Sequence, residues 1–483
     1  MKKIIFISGN FNVVHPGHIR LFKFAKLLKG KIVVAVKSDK LAGDLAYVNE
    51  NLRLEGIKNI SLVDNAFIAH EDINKVIFKM KPYYILKGKE YEKQKNPEEQ
   101  IIKKINSKLI FSKDNINLSS IDLINKEVAA ASSQYKNLAN SYLKRHGLKK
   151  ESLINIINKF KKINICVIGD LIIDEYNFCE PLGMSREEAV IVSRLIDKKT
   201  FIGGAGVVAL HGSLLGSRVD FLSVIGKDSI GKYAQKELNK FRNIKSHLVI
   251  DDSRPTTKKL RFRDDQKSLL RVSILDQKAV SLNIQNKLLK NLKKIIPKTN
   301  LLIFSDFNYG CLSKEIILNI SKLLQNNNKI IIAADSQTSS QDGDISKFKK
   351  MNLITPTEKE ARISVLDNEI GLENLALRIQ KKAIAKNLIL KLGSDGIIIS
   401  NFSYDKNGKK AFKVDRIPSL SISVKDVSGA GDSLLTISSM ALAVGANIWE
   451  SAFLGSIAAS IAVEKIGNVP ISHKDLKERI LNL

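Results

Sequence analysis

Cysteine is scarce in this chain. The three present in 483 residues, Cys166, Cys179 and Cys311, show no CxxC or Cys/His spacing, so neither a disulfide framework nor a zinc site is indicated. Long apolar runs are missing too, and nothing approaches the ~20 residues of a membrane span. Behind Met1-Lys2-Lys3, the apolar residues Ile4 to Ile7 stop at Ser8-Gly9-Asn10, too early for a secretion signal. A cytoplasmic protein without a membrane partner is expected. Acidic residues are outnumbered, 49 Asp and Glu against 78 Lys and Arg, for a net charge of +29. Such a balance suits anionic partners. The lysines are spread along the whole chain, however, with no dense basic tract interleaved with aromatics. The expectation is therefore anionic small substrates and no nucleic acid. No GxxxxGK[ST] occurs, which excludes a Walker-type nucleotide site.

What is present points to two domains, since 483 residues exceed what one core usually serves. At the start, Ile4 to Ser8 is a short β-rich run, Gly9 to Gly17 a loop of turn formers, and His18 to Leu28 has helical periodicity. Lys31 to Val36 reads as a second strand. In such a βαβ unit, ligands sit at the carboxyl ends of the strands, where His15-Pro16-Gly17-His18 falls. Two histidines at a helix start can donate to phosphate oxygens alongside the helix amides.

The segment GNFNVVHPGH, Gly9 to His18, resembles the signature of the HxGH nucleotidylyltransferases. The resemblance covers roughly residues 1–125 and implies a Rossmann-like domain. It includes Val36-Lys37-Ser38-Asp39, the Lys87-Gly88-Lys89-Glu90-Tyr91 segment, and Leu118-Ser119-Ser120-Ile121. It implies that His15 and His18 stabilise charge on reacting phosphates. Gly9, Phe11, Asn12, Lys87, Ser119 and Ser120 would bind a nucleoside triphosphate, with Arg53 a weaker candidate. Asn12 stands where the signature has Asp.

Residues 126–150 are rich in Ala, Ser, Asn and Lys and are expected to connect the domains. From 151 to 483 an amphipathic helix (Glu151 to Phe160) leads into strands that alternate with helical stretches. These strands are Asn164 to Gly169, Val219 to Val224, Leu301 to Phe304, Ile330 to Ala334, Asn352 to Ile354 and Leu388 to Leu390, the pattern of a doubly wound α/β domain. Asp170 and Asp174 follow the first strand, and Gly203-Gly204-Ala205-Gly206 opens a helix. Pro255 to Arg271 alternates basic and polar residues, as an exposed sheet or small β lid would. Near the end, Asp426-Val427-Ser428-Gly429-Ala430-Gly431-Asp432-Ser433 precedes an apolar helical run. By itself this is either a turn with an Asp cap or an anion hole with a base at the helix start.

The order of these pieces resembles the ribokinase-like PfkB carbohydrate kinases across about 320 residues. GDLIIDEY, RPTTKKLRF, SDFNYG, LITPTEKEA and DVSGAGDS look like the kinase half of the bifunctional heptose-phosphate kinase/adenylyltransferases, here with domain order reversed. The resemblance makes Asp432 the catalytic base and Gly429, Ala430 and Gly431 the anion hole. Asp170, Asp174, Gly203 and Gly204 would face the sugar, and Lys391, Gly393 and Gly396 the nucleotide. Glu360 and Asp426 would influence Mg2+, with no residue set apart as a direct metal ligand. Val207, Gln337 and Tyr309 stand where the relatives carry an amide and two lysines, which implies a different or differently held sugar. ATP and Mg2+, a sugar phosphate, a second nucleoside triphosphate and a homodimer are the implied partners. The expected activity is phosphorylation of a sugar or sugar phosphate followed by nucleotidyl transfer to the product. The alternative keeps only the kinase active.

Overall fold

The computed structural model describes residues 3–14, 16–88, 91–92, 96–111, 136–264, 268–325, 327, 329–337, 343–404, 410–421 and 423–483. The chain divides into two compact units, Met1–Ser133 and Gln134–Leu483. His15, Ser119, Ser120 and residues 126–135 lie outside the described residues.

In the first unit, β1 (Ile4–Gly9), β2 (Lys31–Lys37), β3 (Asn65–Ala69), β4 (Tyr84–Lys87) and β5 (Lys108–Phe111) form one parallel sheet in the order β3-β2-β1-β4-β5. Its strands are apolar throughout because both faces are covered. Ile5, Ile7, Val34 and Val36 enter one core with Phe22 and Ala25, which come from the helix Pro16–Leu27. Phe6, Ala35 and Ile85 enter the other.

In the second unit the described strands build two sheets. The larger has the order β10-β9-β6-β13-β14-β15-β16-β17-β18. Its members are β6 (Asn164–Gly169), β9 (Arg218–Ile225), β10 (Ile244–Ile250), β13 (Leu301–Asp306), β14 (Ile331–Ser336), β15 (Leu353–Ile354), β16 (Asn387–Lys391), β17 (Ile397–Tyr404) and β18 (Lys410–Ile417). All pairings are parallel as far as β16, and β17 and β18 close the edge antiparallel. On β6, Ile165 and Val167 join one core while Cys166 and Ile168 join the other. Each such side chain contributes roughly 1.5–3 kcal/mol by leaving water. All three cysteines are buried and free.

The smaller sheet has the order β12-β11-β7-β8. It consists of β7 (Leu171–Met184), β8 (Ile191–Gly204), β11 (Lys258–Arg263) and β12 (Ser268–Ile274). The Pro255 to Arg271 segment thus forms sheet, as its alternation suggests. The sequence reading missed the long β7–β8 hairpin, because its outer half has no apolar alternation that marks a buried face. Residues 136–145 are helical and belong to the second unit, where the Tyr142 ring stacks 5.6 Å from that of Phe453. Among the described residues no helix is long and apolar enough to cross a membrane.

Candidate active site

The carboxyl ends of β14 and β16 carry Asp335 and Lys391, and the helix Ala430–Ala443 points its N-terminus toward them. That helix is apolar on all sides, as a fully buried helix is. The hydroxyls of Ser433, Thr436 and Ser439 bond back to carbonyls of the same helix, those of Ala430 (2.8 Å), Asp432 (2.7 Å) and Leu435 (2.6 Å). Gly429 caps it with φ 77°, and a Cβ there would lie 2.9 Å from the Asn468 side-chain oxygen. Only glycine adopts this turn so close to a neighbour without strain. The helical bonding after it opens with the Ser433 N–H donating to the Gly429 carbonyl (2.9 Å). The N–H groups of Gly431 and Asp432 thus fall in the turn that has no intrahelical partner and favours anions.

Asp432 is 6% exposed. Burial, helped by the nearby Asp335 charge, pushes its carboxyl up to about 7, against the pull of Lys391. Its Oδ1 accepts a hydrogen bond from the Gln337 amide at 3.3 Å. Lys391 pairs with Asp335 at 2.8 Å. Burial opposes the Lys391 charge, but Asp335 and Glu360 outweigh it and hold the ammonium protonated. Burial likewise raises Asp335 to about 6. Glu360 is held by a reciprocal cap: its carboxylate accepts from the Thr357 N–H (2.7 Å), and Thr357 Oγ1 accepts from the Glu360 N–H (3.2 Å). Thr357 thus caps the helix Glu358–Val365 and fixes the Glu360 side chain at its start.

Asp432, Gln337, Lys391, Thr357 and Glu360 line a cleft of about 650 Å³, together with Gly204, Gly393, Gly396, Gly429, Ala430 and Gly431, and Asp335 lies behind the wall. Its other wall comes from the smaller sheet. Asp174 accepts from Arg261 (3.1 and 3.2 Å) and from Asn468 (2.7 Å). Gly203 is required behind it, since a Cβ there would stand 2.2 Å from the Asp174 carboxylate. Lys259 reaches over the rings of Phe307 and Tyr309, 5.4 and 5.2 Å from their centroids.

Two expected site residues have other work. Asp170 does not line the cleft but lies beneath it. Its carboxylate accepts from the backbone N–H groups of Phe307 (2.8 Å), Tyr309 (3.2 Å) and Cys311 (3.1 Å). Burial and repulsion from Asp306 raise it to about 6. It therefore shapes the loop that presents Phe307 rather than touching a sugar. Asp426 is likewise outside the cleft wall. It accepts from Tyr176 (2.8 Å), Arg263 (3.2 Å), and the N–H groups of Gly467 (3.0 Å) and Ser428 (3.1 Å). Burial works against its ionisation, but these donors keep its carboxyl below the usual range. It fastens the glycine loop to the smaller sheet.

Residue-by-residue reading of the sequence missed Lys259, Arg261 and Asn468. The first two had a signal: Lys259, Arg261 and Arg263 recur at every second position, so all three point to one face of β11. They meet the aromatic pair, Asp174 and Asp426 in turn. Asn468 sits in a loop far along the chain and had no signal.

Among the described residues no group of three His, Cys, Asp or Glu could hold a metal. Magnesium commonly keeps several waters and binds one or two carboxylates plus substrate phosphates. Glu360, one of the carboxylates in the cleft wall with Asp174 and Asp432, fits that role. Asp335 Oδ1, buried and without a hydrogen-bond partner, adds negative charge behind it.

In the first unit, His18 lies 4.9 Å from the ring of Phe11, itself at φ 52°, so the loop from Gly9 and the helix start are adjacent. The polar residues around them are committed to holding the loop. Asn12 donates to the Leu45 carbonyl (2.8 Å) and accepts from the N–H groups of Tyr47 (3.0 Å) and Val48 (3.3 Å). Arg53 is fully buried and binds the Val48 carbonyl (2.7 Å), the Asn10 carbonyl (2.5 Å) and Asp39 (2.6 Å). Lys87 pairs with Glu98 at 2.8 Å and lies 5.0 Å from the ring of Tyr91.

Residues 162–474 match the model of the pfkB family carbohydrate kinases, and residues 6–127 match the cytidylyltransferase-like model. Among curated proteins, the chain is similar to the bifunctional protein HldE of Desulfatibacillum aliphaticivorans, 28% identical over 327 residues, 67% of this chain and 64% of that one. HldE of Aliarcobacter butzleri is 30% identical over 321 residues, 66% and 64% of the two chains. The match therefore spans less than two thirds of these relatives' length. Among solved structures, the ribokinase of Giardia lamblia aligns with TM-score 0.52 at 18% identity, covering 66% of this chain and all of that one. The ribokinase of Thermotoga maritima aligns with TM-score 0.50 at 19% identity, covering 66% and 99%. At such identities these likenesses concern the fold alone.

Proposed function

This chain belongs to the PfkB family of carbohydrate kinases, and from that premise we propose a bifunctional carbohydrate enzyme. Residues 151–483 transfer the γ-phosphoryl group of ATP to a hydroxyl of a sugar or sugar phosphate, and residues 1–125 transfer a nucleotidyl group to the product. The observation that carries the first step is Asp432: a buried carboxyl raised to about 7 at the head of a glycine-capped helix, facing the cleft. A base poised near the working pH is best suited to take a hydroxyl proton.

The acceptor hydroxyl attacks the γ-phosphorus, Asp432 takes its proton, and the bond to the bridging oxygen breaks to release ADP. Charge on the transferring group falls on the first-turn amides of the helix and on Lys391, the kind of fixed electrostatics on which phosphoryl transfer depends. Magnesium bound with the nucleotide would neutralise the phosphates, with Glu360 its protein contact. In the second step an oxygen of the sugar phosphate attacks the α-phosphorus of a nucleoside triphosphate and pyrophosphate leaves, His15 and His18 stabilising the charge. The cytidylyltransferase-like match of residues 6–127 and the adjacency of Phe11 and His18 support this half. Asn12 and Lys87, tied to the protein itself, favour the narrower reading in which the kinase alone is active.

The assay is release of ADP and of pyrophosphate by the intact chain with heptose 7-phosphates and other sugar phosphates. Asp432→Ala is expected to abolish the first and His18→Ala the second. An Asp432→Ala protein whose ADP release stays within a few-fold of the unsubstituted chain would overturn the kinase assignment.

A homodimer is also proposed. Leu270, Val272 and Ile274 leave 56, 41 and 46% of their surface exposed on alternate positions of β12, at the rim of the cleft that Arg271, Val272 and Ser273 line. An apolar face of this kind calls for a cover, and a second copy would supply it. Sedimentation at micromolar concentration checks this; a monomer overturns it.

A further inference from the structure

Gln337 stands just beyond β14, at the cleft wall, and its backbone is fixed from both sides. Its N–H donates to the Asp306 carbonyl (2.8 Å), and its own carbonyl accepts from the Asn308 amide (2.9 Å). Those two anchors are themselves fastened. Asn308 adopts φ 60° and its Oδ1 accepts from Lys347 (3.0 Å). Asp306, 1% exposed, accepts from the Lys347 ammonium (2.5 Å), the Ser336 hydroxyl (2.7 Å) and the Asn308 N–H (3.1 Å). The network ends at the Gln337 side chain, whose amide donates to Asp432 Oδ1. Among the described residues Asp432 Oδ2 has no such partner.

We propose that Gln337 is a positioning residue for the kinase reaction: the Lys347–Asp306–Asn308 clasp holds its amide against Asp432 Oδ1, so that Oδ2 is presented to the acceptor hydroxyl. This rests on Asp432 being the base. A rotating carboxylate would offer either oxygen and lose rate to misalignment. An amide donor also steadies the carboxylate without adding charge, unlike a lysine at the same place, which would make it a weaker base.

The test compares Gln337→Met, which removes the donor at similar volume, with Gln337→Lys, which keeps a donor and adds a charge. Steady-state ADP release with ATP and a heptose 7-phosphate is read from pH 5.5 to 8.5. Titration of 13C-labelled aspartate by NMR reports on Asp432 whether or not that acceptor is used, and thermal unfolding checks the fold. For Gln337→Met, kcat is expected to fall about tenfold with KM for ATP within twofold, the size of one hydrogen bond to a charged group. Its acid limb and the Asp432 titration should move to higher pH. Gln337→Lys should move both to lower pH. Limbs and titrations that stay in place, or that move the same way in both variants, overturn the proposal. If instead Asp432→Asn turns over like the unsubstituted chain, it is the base assignment that fails.

Discussion

Two glycine loops, each leading into a helix after a parallel strand or sheet edge, look alike in sequence and differ in how their polar groups are employed. At Gly429 to Asp432, structural duties are delegated to neighbours. Asp426 fastens the loop and Asn468 fills the space behind Gly429, leaving Asp432, Lys391 and Glu360 in the cleft wall. At Gly9 to His18, the side chains expected to meet a nucleotide also carry the loop: Asn12 is bonded at both ends of its amide and Lys87 is neutralised by Glu98. A catalytic arrangement needs charge that the fold has not already paired. In the second loop Asp432 is such a charge, met by the uncharged Gln337 amide.

The strongest way to break this contrast is Asp432→Asn. Loss of a positioned base is expected to lower kinase kcat by about 10²–10⁴ while leaving pyrophosphate release unchanged when the phosphorylated product is supplied directly, both measured on one preparation. Lys391→Met comes next. It removes one partner of a buried ion pair and strands Asp335, a loss of about 3–5 kcal/mol in stability, visible in urea unfolding. Retention of the unsubstituted chain's midpoint would show that Asp335 is protonated there and the pair is not an ion pair.

Asn12→Asp sharpens the other side. A carboxylate cannot donate to the Leu45 carbonyl, so the first unit should lose roughly 1–3 kcal/mol. If pyrophosphate release rises instead, Asn12 is a catalytic departure and not a loop staple. The smallest effect is that of pH. With Asp432 at about 7, kinase kcat/KM should fall close to tenfold per unit on the acid side of that value; the nucleotidyl step need not share that limb. The same shift has a stability consequence of definite sign. Asp170, Asp335 and Asp432 are raised from 3.8 to about 6, 6 and 7. The folded state therefore binds more protons than the unfolded one between those values, and stability falls as pH rises through them.

Much of this is legible in the order of residues alone. The strands of both parallel sheets are continuous apolar runs, and burial on both faces leaves no other way to read Asn164 to Gly169 or Lys31 to Val36. The glycine loop carried its own meaning because positive φ and a helix start are local properties. Asp170 and Asp426 were misread for the opposite reason. Each is an acid next to a motif, and nothing in the order of residues says whether its lone pairs meet a ligand or the backbone of a distant loop.

The sequence by itself determined the two domain types, inner strands of the two larger sheets, and the short stretch where the phosphoryl chemistry would occur. These rest on periodicity and on backbone preferences that act over a few residues. Only the tertiary structure decided which charges remain available. Asp432 owes its raised carboxyl to burial beside Asp335, 97 positions earlier, and Asp174 is met by Arg261 and Asn468 from two other segments. Desolvation and pairing depend on which segments meet in space, and no local pattern records that.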